Sequence, residues 1–336
     1  MRRPTISDIA RAAGVSKGAV SYALNGKPGV SAETRARVLA LAEQLGWVPS
    51  SAARALSNHR AGAVGMVAAR DPELVWTEPY FMRVVAGIER AAAGREIGLL
   101  LTTVRDTKTE LDTYRRWWAG RRVDGVFLLD MRIDDPRPAL LADLAIPAAI
   151  LGAQRPYDGI PSTLVEDHDA MLRAVTHLVE LGHRRLARVS GPSHLEHAAR
   201  RWRYFDAACR DLLGGEQPQI ETDYTAQCGL KATHQLLDAD RRPSAVIYDN
   251  DVMAAAAVAE LTSTGLTIPQ DLAVLAWDDS PLCELVRPAV TAFTHDVTAE
   301  ATAAAELLLR HIELGEATDE WLPPRRLTVR ASTAGA

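Results

Sequence analysis

Cysteine and histidine side chains could ligate a metal in this chain. The three cysteines, Cys209, Cys228 and Cys283, form no C-x-x-C pair, so the sequence indicates neither a zinc site nor a disulfide framework. Their odd number is typical of a reducing cytoplasm. Five histidines repeat in no spacing typical of metal ligands: His168, His177, His183, His194 and His197. We therefore expect no metal and no cofactor.

Two carboxylates, Asp251 and Asp278, could form the acid–base pair of a glycosidase. Nothing in the sequence identifies an acid with a raised pKa, and fold analogy alone supplies no chemistry. Asp278 and Asp279 follow a strand end and cannot point the same way, so at least one of them is expected to be structural. The enzyme hypothesis ranks low, and we expect no catalytic residues.

Positive charge is concentrated at the amino terminus. Residues 1–60 carry nine Lys or Arg against three acidic residues, a net charge of +6, and the rest of the chain carries a net charge of −11. This asymmetry favours a polyanion bound by the first 60 residues alone, because the acidic remainder repels phosphate. Charge by itself leaves a solvated basic terminus as an equal alternative.

The length of 336 residues allows two or three domains. No apolar run approaches the ~20 residues that span a bilayer. The first eight residues lack the apolar stretch of a signal peptide. We therefore expect a cytoplasmic protein without membrane contact.

Short helices are predicted in the first 46 residues. Thr5 can cap a helix, with Asp8 as the acid of a capping box. Gly14 breaks this helix, Ser16 can cap the next, and Ser31 begins a third, longer one. Two short amphipathic helices across a tight glycine-containing turn predict a helix-turn-helix.

Beyond residue 61, short apolar runs alternate with amphipathic segments. The runs lie at 63–67, 97–101, 123–129, 146–151, 186–189, 245–248 and 272–276. Continuous apolar runs separated by helices are typical of buried parallel strands. The pattern predicts two doubly wound α/β lobes, with ligands beyond the carboxyl ends of the strands. The adjacent residues Trp117 and Trp118 are interpreted as helix packing.

Particular segments carry a family resemblance. In the first 60 residues they are Thr5–Ala10, Ala13–Ser16, Ala19–Ser21, Leu24–Asn25 and Val30–Arg35. These segments resemble the headpiece of the lactose-repressor (LacI/GalR) family. In the body the resemblance continues at Pro79–Phe81, Leu181–Arg185, Ser190–Pro192, Asn250–Asp251 and Trp277–Asp279.

The resemblance implies an all-α helix-turn-helix headpiece at 1–48, a hinge helix or linker at 49–60, and an α/β two-lobed domain with the fold of periplasmic sugar-binding proteins. Two parallel, doubly wound sheets are expected. The first lobe would comprise 61–160 and 291–318, and the second 161–290 and 319–336. Residues 326–330 would form a last strand in the second lobe.

The resemblance also implies how the headpiece binds DNA. Lys17, Gly18 and Tyr22 would read bases in the major groove. Many members carry an arginine where this chain has Tyr22, and a tyrosine makes no bidentate contact to guanine, so packing remains an alternative role. Hydroxyls, an amide and helix N-termini would hold phosphates at Thr5, Ser16, Ser21, Asn25, Ser31 and Thr34.

The hinge at 49–57 would be helical on DNA, where Leu56 from each subunit enters a minor-groove step. An Ala/Ser linker is the alternative interpretation on composition.

By resemblance, a cleft between the lobes binds the effector. The implied residues are Arg201, Asn250, Asp251, Asp278 and His295, with Trp277 and either Leu129 or Asp130 nearby. Carboxylates, amides and a guanidinium suit a polyhydroxyl ligand, and an indole would cover an apolar ring face. For Arg201, a surface salt bridge is the rival interpretation.

The leading hypothesis is a repressor whose operator affinity depends on a small molecule, a sugar or a related polyhydroxyl metabolite. A homodimer would bind a pseudo-palindromic DNA operator. No apolar heptads follow the last predicted strand, so we expect a dimer and not a tetramer. A solute-binding protein is the alternative, but it has no use for a basic helical head.

Overall fold

The computed structural model of the chain describes residues 4–47, 60–70, 75 and 78–334. By its internal contacts the chain divides into two compact units, Met1–Ala61 and Gly62–Ala336. We call them the headpiece and the body. The predicted hinge helix at 49–57, with Leu56, lies outside the described residues.

The headpiece consists of the helices α1 (Ile6–Ala13), α2 (Lys17–Leu24) and α3 (Ala32–Gln44). The carboxylate of Asp8 accepts hydrogen bonds from the backbone N–H and the hydroxyl of Thr5, at 2.9 and 2.6 Å, which fixes the start of α1. Gly14 ends α1 at φ 66°, a conformation that glycine adopts without strain. The predicted helix-turn-helix is confirmed.

The headpiece core is small and is completed by all three helices. Ile9, Val20 and Val38, one from each helix, are fully buried against one another. The opposite faces of the helices are exposed and largely polar, with Tyr22 and Leu39 as exposed apolar side chains.

The first half of the body alternates strands and helices as predicted. The elements are β1 (Ala63–Ala68), α4 (Pro79–Ala92), β2 (Gly98–Thr103), α5 (Thr107–Ala119), β3 (Gly125–Leu128), α6 (Arg137–Asp143), β4 (Ala148–Ala153) and β5 (Ser162–Leu164).

The second half repeats the alternation and then returns to the first sheet. Its elements are α7 (His168–Glu180), β6 (Leu186–Ser190), α8 (Glu196–Leu213), β7 (Gln219–Glu221), α9 (Ala226–Leu237), β8 (Ala245–Tyr248), α10 (Asp251–Ser263), β9 (Ala273–Ala276), α11 (Pro281–Leu285), β10 (Thr291–Thr294), α12 (Val297–Leu314), β11 (Glu320–Trp321) and β12 (Arg326–Thr328).

The strands form two sheets of six. The order is β11-β5-β4-β3-β1-β2 in the first lobe and β12-β10-β9-β8-β6-β7 in the second. The described pairs are parallel except β10 with β12, which is antiparallel. The predicted pair of doubly wound sheets is confirmed, and β12 is the predicted last strand.

The predicted lobe boundaries were each a few residues too early. Strands β5 and β11 pair with each other in the first sheet, although residues 161–164 and 319–321 were assigned to the second lobe. Strand β10 pairs with β9 in the second sheet, although residues 291–294 were assigned to the first. Each segment completes its backbone hydrogen bonds to the sheet that it leaves before it crosses.

Each sheet is covered by apolar clusters on both faces, so each lobe has a three-layer core. Trp117 is buried beside β1, where an added Cβ on Gly65 would lie 2.5 Å from the indole. Packing of Trp117 is therefore confirmed.

Helices α4 and α12 cross closely at Gly87. An added Cβ on Gly87 would lie 2.4 Å from the backbone oxygen of Thr298 and 2.6 Å from the Cβ of Ala301. Because α12 crosses from the second lobe to pack on the first, this contact helps to seat it on the first sheet.

We expect Gly87→Val to destabilise the body by about 2–3 kcal/mol through overpacking, which lowers Tm by about 5–10 °C. Thermal unfolding measures the change. The matched control is Gly98→Val in β2, where an added Cβ meets open space. Equal melting temperatures for the two variants would contradict the close α4–α12 contact.

Candidate functional site

The outer face of α2 is the candidate DNA-reading surface of the headpiece. Lys17, Gly18 and Tyr22 are exposed on it, whereas Val20 and Ala23 face the core. Gly18 and Tyr22 lie on one side of the helix because residues four apart share a face, and Lys17 lies beside them in the first turn. All three belong to the predicted set.

The side chain of Tyr22 is partly packed and partly exposed. The side chain is 48% exposed, and an added Cβ on Gly29 would lie 3.5 Å from its ring. The ring therefore packs beside the loop after α2 and leaves about half of its surface open.

The predicted phosphate-binding residues sit at the starts of helices or at the end of α2. Ser16 and Ser31 cap α2 and α3, accepting from the N–H groups of Ala19 at 3.1 Å and Thr34 at 3.2 Å. Asn25 donates to the backbone oxygen of Ser21 at 2.8 Å. Helix N-termini with uncommitted N–H groups attract anions, so these positions suit phosphate.

The body carries a cleft between its two lobes, at the carboxyl ends of the strands of both sheets. The space between the lobes is about 870 Å³, a volume that includes the open mouth. The cleft is lined by five of the six predicted effector residues: Arg201, Asn250, Asp251, Asp278 and His295.

Arg201 is not a surface residue. It is 6% exposed, and its Nε donates to the buried Asp167 at 2.8 Å. The guanidinium lies over the indole of Trp277 at 4.5 Å. The predicted salt bridge exists, but it is buried beneath the cleft and orients Arg201 toward it.

Trp277 is the one predicted effector residue that the cleft lining lacks. It is fully buried against Phe293, with ring centroids 5.1 Å apart, and its face is covered by Arg201. The prediction of an indole platform was wrong because the side chain of Trp277 turns into the core at the end of β9. Aromatic surface in the cleft comes from Tyr80 instead.

Asn250 links the lobes as well as capping α10. Its Oδ1 accepts from the N–H of Met253 at 2.9 Å. Its Nδ2 donates to the backbone oxygen of Tyr224 at 3.0 Å and, across the cleft, to Glu78 Oε1 at 3.2 Å. Both amide hydrogens are therefore used inside the protein, which leaves little for a ligand.

Asp278 and Asp279 have different roles, as the alternation of a strand requires. Asp279 accepts from Arg330 at 2.8 and 2.9 Å and from Thr294 at 2.7 Å, so it is structural. Asp278 lines the cleft beside His295. The prediction that one of the pair is structural is confirmed.

His295 joins two carboxylates. Its Nε2 lies 3.3 Å from Asp278 Oδ1 and its Nδ1 lies 2.8 Å from Glu300 Oε1. Burial alone would lower the pKa of His295, but hydrogen bonds to both carboxylates raise it. The three side chains present charge-assisted donors and acceptors to the cleft.

Sequence reasoning missed several lining residues, chiefly from the first lobe. Arg70 pairs with Asp130 at 2.8 Å and with Glu78 at 3.2 Å, and it lies between the rings of Phe81 and Tyr224. Of the two residues considered after β3, Asp130 lines the cleft, whereas Leu129 faces the core. Other missed residues are Tyr80, His197, Glu300 and Arg325.

Tyr224 is held in place by an unusual backbone. It has φ 72°, and an added Cβ on Gly191 would lie 1.9 Å from its ring. Its hydroxyl bonds to His197 Nε2 at 2.8 Å. A polar residue close after β1 was the available signal for Arg70, whereas Glu78 lies directly before α4 and carried no such signal. No sequence pattern indicated the positive φ of Tyr224.

One side of the cleft is closed by a lobe bridge, the pairing of Met131–Ile133 with His194–Glu196. The N–H of Glu196 donates to the oxygen of Met131 at 2.8 Å, and the N–H of Ile133 donates to the oxygen of His194 at 2.9 Å. The Glu196 carboxylate accepts from Tyr157 at 2.7 Å and from Arg155 at 3.2 Å. These bonds favour the closed arrangement of the lobes.

Within the described parts of the chain, no cluster of His, Cys, Asp and Glu side chains is arranged to hold a metal ion. Among the same residues, no helix combines the length and the apolar character needed to cross a membrane.

Two family models match the chain. Residues 5–50 match the bacterial regulatory proteins of the lacI family, and residues 175–333 match the periplasmic binding protein-like domain. The HTH-type transcriptional regulator CelR of Thermobifida fusca is 33% identical over 328 residues, which cover 95% of this chain and 94% of that protein. The ribose operon repressor of Escherichia coli K12 is 28% identical over 312 residues, covering 92% of this chain and 93% of that protein.

Solved structures of similar fold agree with these sequence matches. The lac repressor dimer bound to operator and the anti-inducer ONPF superposes with a TM-score of 0.82 at 26% identity, covering 99% of this chain and 100% of that one. A CelR–cellobiose complex superposes with a TM-score of 0.73 at 29% identity, covering 98% of this chain and 100% of that one. A helix-turn-helix headpiece on a two-lobed ligand-binding fold defines a DNA-binding transcriptional regulator. The chain belongs to the LacI family.

We expect Glu196→Ala to weaken the lobe bridge, because Tyr157 and Arg155 lose their shared acceptor. The free energy of unfolding should fall by about 1–2 kcal/mol. The radius of gyration of the body should increase, because the lobes open. Thermal unfolding and small-angle X-ray scattering measure the two effects. The control is Glu180→Ala, an exposed position at the end of α7. An unchanged radius of gyration would argue against the bridge as a closing contact.

Proposed function

We propose that this regulator is a cytoplasmic, dimeric repressor that binds a pseudo-palindromic operator and responds to a small polyhydroxyl effector in the cleft. The observation that carries the proposal is the presence, in the same chain, of an exposed reading helix in a basic headpiece and of a polar cleft between two lobes. A solute-binding protein would need only the cleft.

Operator binding is assigned to α2 and to the helix N-termini around it. Lys17 and Tyr22 would reach base edges, and Gly18, without a side chain, allows close approach to the groove. Ser16, Ser31 and the first turns of their helices would hold phosphates and set the register. One headpiece contacts too few bases for specificity, which supports action as a dimer.

Dimeric action has support from the solved lac repressor, which is a dimer on its operator. The net charge of +6 on residues 1–60 against −11 on the remainder favours DNA contact by the headpiece and repulsion by the body.

Effector binding is assigned to both sides of the cleft. Arg201 from the second lobe supplies guanidinium donors, Asp278 and Glu300 supply acceptors, and Tyr80 supplies an aromatic face. This combination suits a ring that carries hydroxyl groups. The cellobiose complex of CelR supports a sugar-like ligand for this fold.

The cleft is proposed to bind without catalysis. Asp251 and Asp278 both line the cleft. Asp278 is hydrogen-bonded to His295. Asp251 is 5% exposed at the start of α10. Binding in the cleft would change the closure of the lobes and so the operator affinity. By linkage, DNA would change effector affinity by the same factor.

We expect Lys17→Ala to weaken operator binding at least tenfold and to relax base preference at one position of each half-site, because a contact to a base edge is lost. Gel-shift titration of the full chain against the DNA upstream of its own gene measures this effect. Lys231→Ala, on the exposed side of α9, is the control and should bind as the parent does. Absence of any retardation by the parent protein at low salt would refute the repressor proposal.

We expect Asp278→Asn to leave operator affinity unchanged while abolishing its response to effector, because the cleft loses a charged acceptor. The effector is found by thermal-shift screening of sugars and polyols, and its effect is then followed by gel shift. Asp211→Asn, exposed on α8, is the matched control. A full effector response in Asp278→Asn would remove this residue from the site.

A further inference from the structure

The charged side chains of the cleft leave two carboxylates without enough positive charge. Arg70 serves both Asp130 and Glu78, at 2.8 and 3.2 Å. Arg201 and Arg325 share Asp167, at 2.8 and 3.3 Å. Neither arrangement supplies a cation to Asp251.

The other acidic side chains that line the cleft each have a basic partner. Asp249 pairs with the buried Arg188, and Glu196 pairs with Arg155. Asp278 and Glu300 flank His295, and Arg325 lies 3.5 Å from Asp278. Among the described lining residues, Asp251 is thus left without a cationic partner, and Glu78 has only a share of Arg70.

Glu78 and Asp251 line the same cleft from opposite lobes. Glu78 precedes α4 in the first lobe, and Asp251 is the first residue of α10 in the second. The Asn250 amide reaches Glu78 Oε1 at 3.2 Å, so the neighbouring Asp251 lies at the same junction. Both side chains line the cleft, at exposures of 7% and 5%.

Burial raises the pKa of Glu78 to about 7, although Arg70 opposes the shift. Burial also raises the pKa of Asp251 to about 6, with Asp278 adding to the shift. Glu78 shares Arg70 with Asp130, and among the residues that the structure describes no cationic side chain pairs with Asp251, so neither ionised carboxylate is fully compensated. When both are ionised, their repulsion opposes closure of the lobes.

We propose that the effector carries a cationic amino group that binds between Glu78 and Asp251 and draws the lobes together. The ligand class is a polyhydroxyl amine such as an amino sugar, with its hydroxyl groups toward Arg201 and Asp278. This inference rests on the proposed effector function of the cleft. An ammonium supplies three donors and one positive charge, which satisfies carboxylates from both lobes at once.

The same electrostatics disfavour anionic ligands. A phosphate or carboxylate group would meet guanidinium groups that already serve carboxylates, and it would add negative charge to a cleft that has an excess. Neutral sugars would bind through the hydroxyl-binding groups alone.

The test uses the full chain and matched sets of sugars in a thermal-shift assay followed by calorimetry. Each set contains a parent sugar, its amino derivative, its N-acetylamino derivative and its uronic acid, for glucose, galactose, mannose and cellobiose. We expect an amino derivative to bind at least tenfold more tightly than its parent and its N-acetyl form, and the uronic acid to bind most weakly.

Asp251→Asn should remove the preference for the amine, with Asp211→Asn as the matched control. Glu78→Gln is the second variant, and it tests the same preference from the other lobe if Asp251→Asn does not fold. An amine preference that survives both variants overturns the inference.

The remaining outcomes separate the inference from the proposed function. Tighter binding of a neutral or anionic member overturns the cationic assignment and leaves the effector site in place. Failure of every member of every set to bind counts against both, because the panel includes polyhydroxyl ligands of each charge.

Discussion

Charged side chains buried between two lobes need partners, and this constraint determines the arrangement of the cleft. Arg70 is the clearest case, since it bonds two carboxylates of its own lobe and lies against Tyr224 of the other. An unpaired guanidinium in this position would cost several kcal/mol in desolvation. The lobes therefore meet around a guanidinium whose charge is already paired within the first lobe.

Asn250 shows how one residue can tie local structure to the function of the cleft. As N-cap of α10 it satisfies an orphan N–H group, which is a local requirement of the helix. The same amide donates to Glu78 of the other lobe. A residue predicted to contact the ligand thus also couples the start of a helix to the other lobe.

The sequence predicts those parts of the molecule that depend on local rules. Thr5, Ser16 and Ser31 cap the helices that their types and spacing indicate, and apolar runs form the strands. Asp278 and Asp279 separate into cleft and structural roles because successive strand residues point to opposite faces.

The remaining parts depend on contacts between residues far apart in the chain. Tyr224 adopts a positive φ beside Gly191, and no local pattern indicates that pairing. Trp277 has the residue type of a sugar platform, yet Arg201 covers its face because the nearby Asp167 orients the guanidinium. The lobe crossings fall later than predicted since sheet pairing, and not composition, decides where a strand ends.

Strand β1 connects the two activities of the chain. The polypeptide from the headpiece enters the body just before Ala63, and the carboxyl end of β1 leads to Arg70 in the cleft. Six strand residues separate these points by ~20 Å, so a ligand beside Arg70 is too far to contact the entry point directly. Because a packed core moves as a unit, the body can transmit ligand binding only by reorienting the whole lobe that carries β1. In a dimer, such reorientation would change the distance between the two entry points. Operator affinity depends on this distance, because the two headpieces must reach two half-sites at a fixed spacing.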